Sequence, residues 1–218
     1  MAAVTMHIAI RCKEYPKRKG VPARRILENF DLHLQPGETC AIIGPSGIGK
    51  SSLLQIAAGL DRDFDGAVSE RPAPVGYLFQ TSRLLPWLTA LQNLEIVLPH
   101  APEKAPHWLS RIGLEEAAHV YPAHLSVGMA RRIALARALC IEPRLLLLDE
   151  PFTALDRETA RSMQSLVREE VARLGATLLI ATHSWSDVAA LVERTVTLGG
   201  SPAGIVSDSP LLQRRAAE

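Results

Sequence analysis

The sequence predicts an α/β fold with a mainly parallel sheet, and three observations support this prediction. Short apolar runs that suit buried strands occupy residues 39–43, 145–148 and 177–181. A glycine-rich segment leads from the first run directly into a helical stretch, 51–58. A longer helical stretch, 156–174, separates the other two runs and creates the strand–helix–strand order of a parallel sheet. With 218 residues, the chain can bury a sizeable core as one domain spanning 1–218.

The segment after the first run has the spacing of a phosphate-binding loop. Residues 44–51 are Gly-Pro-Ser-Gly-Ile-Gly-Lys-Ser, which is the pattern G-x-x-x-x-G-K-S. Its glycines let the backbone turn tightly and point several N–H groups into one anion-sized hollow. Lys50 can reach the outer phosphates of a nucleotide, and the Ser51 hydroxyl can ligate Mg²⁺. Taken alone, the pattern also fits a strand-to-helix turn that binds no ligand.

Composition excludes several classes of protein. The chain has 24 Lys and Arg residues against 23 Asp and Glu residues, so no overall charge favours nucleic acid. Residues 11–25 are locally basic, which indicates a solvated loop rather than a lipid- or nucleic-acid-binding patch.

The three cysteines are widely spaced and fit reduced thiols of a cytosolic protein. No apolar run reaches the roughly 20 residues of a membrane span, so we expect a partner to supply any membrane role.

Two N-terminal segments, 6–10 and 26–34, alternate apolar and polar residues and are predicted to be strands. Tyr15 follows the first of them. Its ring could form a platform for the adenine of a nucleotide, or it could be a half-buried loop side chain. The spacing alone does not decide between these two interpretations.

A further strand, 75–79, is predicted to end at Gln80, and a helical region follows it. The Gln80 carboxamide could ligate Mg²⁺ and sense a γ-phosphate, or it could simply lie on the surface. Apolar residues between 84 and 139 follow a helical period, which predicts a helical lobe inserted between strands. Within this lobe, Trp87 and Trp108 could contact a partner, but core packing is the favoured interpretation.

Ser126 is a natural N-cap for the helix predicted at 127–140. A helix that begins with Ser126 and Gly128 is also a place where a phosphate could rest. Without other motifs, the plain N-cap is the simpler interpretation.

The apolar run 145–148 ends in two adjacent carboxylates, Asp149 and Glu150. Carboxylates at the end of a buried strand are costly unless they serve a function. Asp149 is suited to anchoring Mg²⁺, and Glu150 to orienting an attacking water as a general base. His183 follows the 177–181 run in the same way. It could donate a hydrogen bond to a γ-phosphate, or it could be an ordinary surface or core residue.

Across nearly the whole chain, these motifs resemble the nucleotide-binding subunit of an ABC transporter. The matching residues occur in the family's order: 44–51, Gln80, 125–129, 145–150, 154–156 and His183. The resemblance implies a P-loop NTPase core with an N-terminal antiparallel β lobe and an inserted helical lobe. The core would comprise about 1–81 and 141–218, and the lobe about 82–140.

The resemblance also implies roles for individual residues. The ATP-binding set would be Tyr15, Gly44, Pro45, Ser46, Gly47, Ile48, Gly49, Lys50, Ser51, Ser52 and Gln80. The catalytic residues would be Glu150, His183 and Lys50, and the Mg²⁺ ligands would be Ser51, Gln80 and Asp149.

The signature segment, 125–129, would act across a head-to-tail dimer with two ATP at its interface. Ser126, Val127, Gly128 and Met129 would face the nucleotide of the opposite subunit, and Asp156 would couple the two sites. The family's usual signature is Leu-Ser-Gly-Gly-Gln, whereas this chain has Leu-Ser-Val-Gly-Met. Val127 adds a β-branched side chain and Met129 lacks a carboxamide, so binding across the dimer is expected to be weaker or differently gated.

A finer resemblance, carried by residues 78–93, is to importers of nitrate, sulfonates, taurine and thiamine precursors. It implies an ATPase on the cytoplasmic face of the inner or plasma membrane that powers a separate transmembrane permease. The other partners would be a second copy or a homologous ATPase, and a periplasmic or surface substrate-binding protein. The alternatives are a lipid- or lipoprotein-handling ABC system, a soluble ABC ATPase of DNA repair or ribosomes, and a scaffold that binds ATP without hydrolysis.

Overall fold

The structure is a computed structural model that describes residues 5–16 and 22–210. Three members of the basic stretch, Lys17, Arg18 and Lys19, lie outside the described residues. The strands are β1 Met6–Tyr15, β2 Arg24–Leu34, β3 Thr39–Ile43, β4 Asp65–Ser69, β5 Val75–Leu78, β6 Leu145–Asp149, β7 Thr177–Thr182, β8 Arg194–Gly199 and β9 Gly204–Pro210. The α-helices are α1 Lys50–Ala58, α2 Ala90–Glu95, α3 Ala105–Arg111, α4 Val127–Leu139 and α5 Arg157–Leu174.

Contacts divide the chain into two compact units. The first unit contains the described residues of 1–72 and 177–218, and the second contains 73–176. The predicted boundary between a catalytic core and a helical lobe stays a prediction. None of the described helices is long and apolar enough to span a bilayer.

In the first unit, an antiparallel sheet has the strand order β2-β1-β4. Alternate residues of β1 and β2, among them Ile8, Ile10 and Leu32, are buried, while the residues between them face outwards. This alternation is what the period-2 pattern of the sequence predicts. The predicted N-terminal antiparallel lobe is therefore confirmed.

A second set of strands in the first unit is mainly parallel. β3 lies between β7 and β8 and runs parallel to both, and β9 runs antiparallel to β8. The centre of β3 is fully buried, and burial raises the pKa of its Cys40 thiol to about 12. Cys40 is therefore a neutral core residue. The sequence patterns did not anticipate β8 and β9, in which threonine or serine occupies alternate positions.

The second unit combines a parallel strand pair, β5–β6, with helices α2 to α5. All five residues of β6 are buried, as expected for a strand covered on both faces. Trp108 in α3 is buried, so its predicted core packing is confirmed. Core packing was the wrong prediction for Trp87, which is 68% exposed. The helical period extends no further back than Thr89, the N-cap of α2, and Trp87 lies in the turn before it.

A buried carboxylate joins α3 to α5 within the second unit. Glu170, whose side chain is 3% exposed, accepts hydrogen bonds from Arg111 and from Arg173, the latter with an Nη2–Oε2 distance of 2.7 Å. Burial alone would raise the pKa of Glu170, but the hydrogen bonds from the two arginines outweigh it and hold the pKa below its ordinary value. The ionised form of Glu170, bound to the two arginines, therefore stabilises the fold.

We expect the substitution Glu170→Gln to lower the free energy of unfolding by about 2 kcal/mol at neutral pH, because three charge-assisted hydrogen bonds from two arginines are weakened. Urea denaturation measures the change. The matched control is Glu169→Gln, since Glu169 is 61% exposed and meets Arg111 at 3.5 Å, a surface contact that contributes less than about 0.5 kcal/mol.

The stabilisation by Glu170 is present above the ordinary pKa of a glutamate and is lost as the pH falls through the lower pKa of the folded state. The difference between wild type and Glu170→Gln should therefore shrink in acid. Equal effects of the two substitutions, or a difference that grows in acid, would contradict this assignment.

Candidate functional site

The phosphate-binding pattern forms a tight turn between β3 and α1 in the first unit. Gly47 and Gly49 have φ values of 77° and 120°, which side chains with a Cβ rarely adopt. A Cβ on Gly49 would also lie 2.7 Å from Ile26 Cγ2. Lys50 is buried, and its Nζ donates hydrogen bonds to the main-chain oxygens of Gly44 at 2.7 Å and Pro45 at 3.2 Å. The ammonium group is thus held over the loop.

The loop opens onto the N-terminus of α1, where Gly49 is the N-cap and supplies no side-chain acceptor. The first turn of an α-helix presents N–H groups that have no acceptor within the helix, and the helix dipole favours an anion there. This arrangement can bind the phosphates of a nucleotide. Arg24 lies nearby and donates to the main-chain oxygen of Gly47 at 3.3 Å. In the sequence, Arg24 stood out only as one residue of the basic stretch 11–25.

Tyr15 ends β1 beside this loop. Its hydroxyl lies 3.0 Å from Ser52 Oγ of α1, and the Nζ of Lys13 lies 4.7 Å from the centre of its ring. The hydroxyl is held at the helix start while the side chain stays exposed. The structure thus places Tyr15 next to a predicted nucleotide-binding residue, and its role as an adenine platform stays a prediction.

His183 lies at the same sheet edge as the loop. Ile43 of β3 pairs with Thr182 of β7, so Gly44 and His183 both follow the carboxyl ends of neighbouring parallel strands. His183 is exposed in the turn that begins there. The first unit therefore brings together the loop, Tyr15 and His183.

The paired carboxylates occupy the end of β6 in the second unit. Asp149 and Glu150 are both buried, and Glu150 has a φ of 49°, which is uncommon for a residue with a side chain. The Nη2 of Arg131 donates to the main-chain oxygens of Asp149 at 2.5 Å and of Glu150 at 2.6 Å. Its Nε donates to Pro151 O at 3.1 Å. The backbone around both carboxylates is fixed by one guanidinium.

The same side chain reaches the loop that contains Gln80. Arg131 Nη1 donates to the main-chain oxygens of Phe79 and Gln80, the latter at 3.0 Å. The carboxamide of Gln80 itself is on an exposed residue. Burial lowers the pKa of Arg131 to about 10, although the charges of Asp149 and Glu150 oppose that shift. Arg131 therefore remains charged at neutral pH.

Arg131 had not been singled out from the sequence as a site residue. A signal was nevertheless present, because Arg131, Leu135 and Ala138 share one face of α4 through the spacings i, i+4 and i+7. All three residues are buried. A charged residue on a buried helical face must find acceptors.

The signature residues begin α4. Ser126 is its N-cap and accepts a hydrogen bond from the Met129 N–H at 3.1 Å, which confirms the predicted cap. Val127 is 71% exposed. A Cβ on Gly128 would lie 3.3 Å from the main-chain oxygen of Ala154, so this glycine allows a close approach of the next segment. The role of these residues towards phosphate stays a prediction.

Asp156 follows that segment directly and is the N-cap of α5. Its carboxylate accepts hydrogen bonds from the Thr159 hydroxyl at 2.6 Å and from two backbone N–H groups, those of Glu158 at 3.0 Å and Thr159 at 2.9 Å. The hydrogen bond from the Thr159 side chain is the main cause that lowers the pKa of Asp156. The second unit thus places the signature residues next to the segment that leads to Asp156.

Comparison with known proteins identifies relatives of this chain. The ABC transporter family's sequence profile matches residues 27–153. The aliphatic sulfonates import ATP-binding protein SsuB 2 of Pseudomonas syringae pv. tomato is 39% identical over 198 residues, which cover 89% of this chain and 84% of that protein. The aliphatic sulfonates import ATP-binding protein SsuB of Bacillus licheniformis is 37% identical over 211 residues, which cover 92% of this chain and 83% of that protein.

Solved structures agree with these matches. The dimeric, post-hydrolysis form of an ATP-binding cassette bound to ADP and Pi superposes with a TM-score of 0.85 at 28% identity, covering 95% of this chain and 99% of that one. The α/β fold predicted from the sequence is thereby confirmed. The profile spans more than half of this chain, and the relatives match most of its length. The chain belongs to the ABC transporter family and is one of its ATPases.

Proposed function

We propose that this chain is the energy-supplying ATPase of a membrane importer for an aliphatic sulfonate or a similar small anion. The observation that carries the substrate class is the similarity, at 39% identity over 89% of the chain, to an aliphatic sulfonate import ATP-binding protein. The transport path would lie in a separate permease, and a periplasmic or surface binding protein would deliver the substrate. The ATPase itself would lie on the cytoplasmic face of the membrane.

The phosphates of ATP would rest on the loop after β3, where Lys50 and the first turn of α1 supply positive charge. Ser51, Gln80 and Asp149 offer a hydroxyl, a carboxamide and a carboxylate, and these oxygen donors are the ligands that Mg²⁺ prefers. The bound ion would neutralise charge on the phosphate oxygens. Tyr15 would stack on the adenine ring.

Hydrolysis would depend on positioned groups. Glu150 would accept a proton from the attacking water and aim it at the γ-phosphate, and His183 would donate a hydrogen bond to that phosphate. Arg131 touches no nucleotide in this proposal. It would act as a positioning residue, because it holds the main chain of Glu150 and Gln80.

Two subunits would complete each site. Ser126 and Gly128 would face the γ-phosphate bound to the opposite subunit, and Asp156 would link the two sites. Support comes from the exposed start of α4 and from the dimeric form of a similar cassette with ADP and Pi. Because Val127 is largely exposed, its side chain is available to contact a second subunit.

Two exposed apolar side chains in the second unit suit contact with the permease. Trp87 precedes α2 and Ile96 follows it, and they are 68% and 53% exposed. Large exposed apolar side chains are frequent anchors of protein interfaces. The segment around Trp87 is also the one that resembles the permease-facing loop of small-anion importers.

The substitution Glu150→Gln should lower steady-state ATP hydrolysis at least 100-fold, an order of magnitude typical of a lost general base. It should also trap ATP between two subunits. Size-exclusion chromatography with Mg-ATP should then show a stable dimer, whereas the nucleotide-free protein elutes later, as dissociated subunits. The control is Glu116→Gln, an exposed carboxylate in a short 3-10 turn of the second unit. Undiminished hydrolysis, or a variant that ATP fails to dimerise, would argue against this assignment.

Replacing Trp87 by alanine should weaken binding to the permease at least about tenfold, since tryptophan is among the strongest interface anchors. The basal ATPase of the isolated subunit should not change. Co-purification and permease-stimulated hydrolysis measure the two effects. Leu60→Ala is the control, because Leu60 is 60% exposed in the first unit. If Trp87→Ala binds the permease as well as Leu60→Ala does, this surface is not the contact.

A further inference from the structure

Three side chains with metal-binding atoms meet on the exposed face of the antiparallel sheet in the first unit. Asp31 and His33 are separated by one residue on β2, so the pleat places both on the same face. His7 of β1 lies directly opposite His33 in the strand register. Their side chains remain accessible, with exposed fractions of 34% for His7, 61% for Asp31 and 56% for His33.

The donor atoms of these residues converge. His7 Nε2 lies 2.9 Å from one carboxylate oxygen of Asp31, and His33 Nε2 lies 3.3 Å from the other. The imidazole rings are stacked, with centroids 3.9 Å apart and an angle of 8° between their planes. The three ligand atoms all lie within 4.8 Å of one another. Both histidines therefore direct the same nitrogen towards one carboxylate.

Two imidazoles and one carboxylate are a donor set that suits a first-row transition metal rather than Mg²⁺ or Ca²⁺, which prefer oxygen ligands alone. Ligand atoms around a tetrahedral zinc ion are about 3.3 Å apart, given metal–ligand bonds of about 2 Å. The two distances to Asp31 are close to that value. We propose that His7, Asp31 and His33 bind a divalent transition metal ion of the Zn²⁺ class, with a fourth position open to water.

The surroundings are compatible with a cation. Arg194 contacts the backbone of this cluster: its Nη1 donates a hydrogen bond to the main-chain oxygen of His33 at 2.8 Å. Its charge is compensated, because it also pairs with Asp208 at 2.5 Å and with Glu38 at 2.9 Å. An ion bound between His7 and His33 would cross-link β1 to β2. None of the three ligands belongs to the residues proposed for ATP, so this site and the ATPase can be tested separately.

Calorimetric titration with zinc chloride tests the proposal on the full chain, free of tags, nucleotide and prior metal. We expect one ion to bind per chain through this cluster and to raise the melting temperature, since it binds the folded state. Asp31→Asn and His33→Gln should each weaken zinc binding at least about tenfold, because losing even an outer-shell partner has an effect of that size. His119→Gln, which removes an exposed histidine of the second unit, should bind like the wild type.

Two further variants keep the result unambiguous. His7→Gln should reproduce the loss, and Cys12→Ser should not, although Cys12 is a soft donor on the same strand. Circular dichroism verifies that each variant is folded. The proposal is overturned if the wild type binds no zinc, if the three ligand variants bind like His119→Gln, or if Cys12→Ser abolishes binding. In any of those cases the cluster is only a surface carboxylate that contacts two stacked histidines.

Discussion

In the second unit, the main chain around the proposed catalytic carboxylate depends on one buried guanidinium. Arg131 donates hydrogen bonds to main-chain oxygens at or just after the carboxyl ends of two neighbouring parallel strands, β5 and β6. The carboxyl ends of such strands present carbonyl groups that no longer have ladder partners, and a buried arginine needs acceptors for its five N–H groups. The carbonyl groups thus accept the hydrogen bonds that the buried arginine must donate. Glu150 has a φ of 49°, and a left-handed conformation of a residue with a side chain persists only when the surroundings hold it.

The proposed phosphate-binding loop is held by other means. In the first unit, glycines allow the turn after β3, and Lys50 is fixed by carbonyl oxygens of that same turn. The two hydrogen bonds of Lys50 span only five and six residues of sequence, whereas those of Arg131 connect α4 to the ends of two separate strands. This difference suits the proposed chemistry. A phosphate needs many small backbone donors in one place, while the groups that activate water must be brought together from distant segments.

This division also explains what could be predicted from the sequence. The loop around Lys50, the carboxylate Glu150 and the cap Ser126 follow local patterns, and so they were located by spacing alone. The partners of Arg131 are backbone atoms, which leave no pattern in the sequence, so its only signal was its place on an apolar face of α4. Trp87 was misassigned because the helical period was extended beyond the cap at Thr89. The His7–Asp31–His33 cluster requires the register of β1 against β2, and a one-residue shift would separate its members onto opposite faces.

The measurement that tests the central role of Arg131 most directly is the ATPase kinetics of Arg131→Lys beside Arg132→Lys. Lysine keeps the charge but cannot bridge several carbonyl groups as the planar guanidinium does. The account predicts that kcat of Arg131→Lys falls at least about tenfold, as small displacements of a positioned group do, while KM for ATP barely changes. Arg132 bonds to Ile112 O instead, and its variant should resemble the wild type. Wild-type kcat in folded Arg131→Lys would contradict the account.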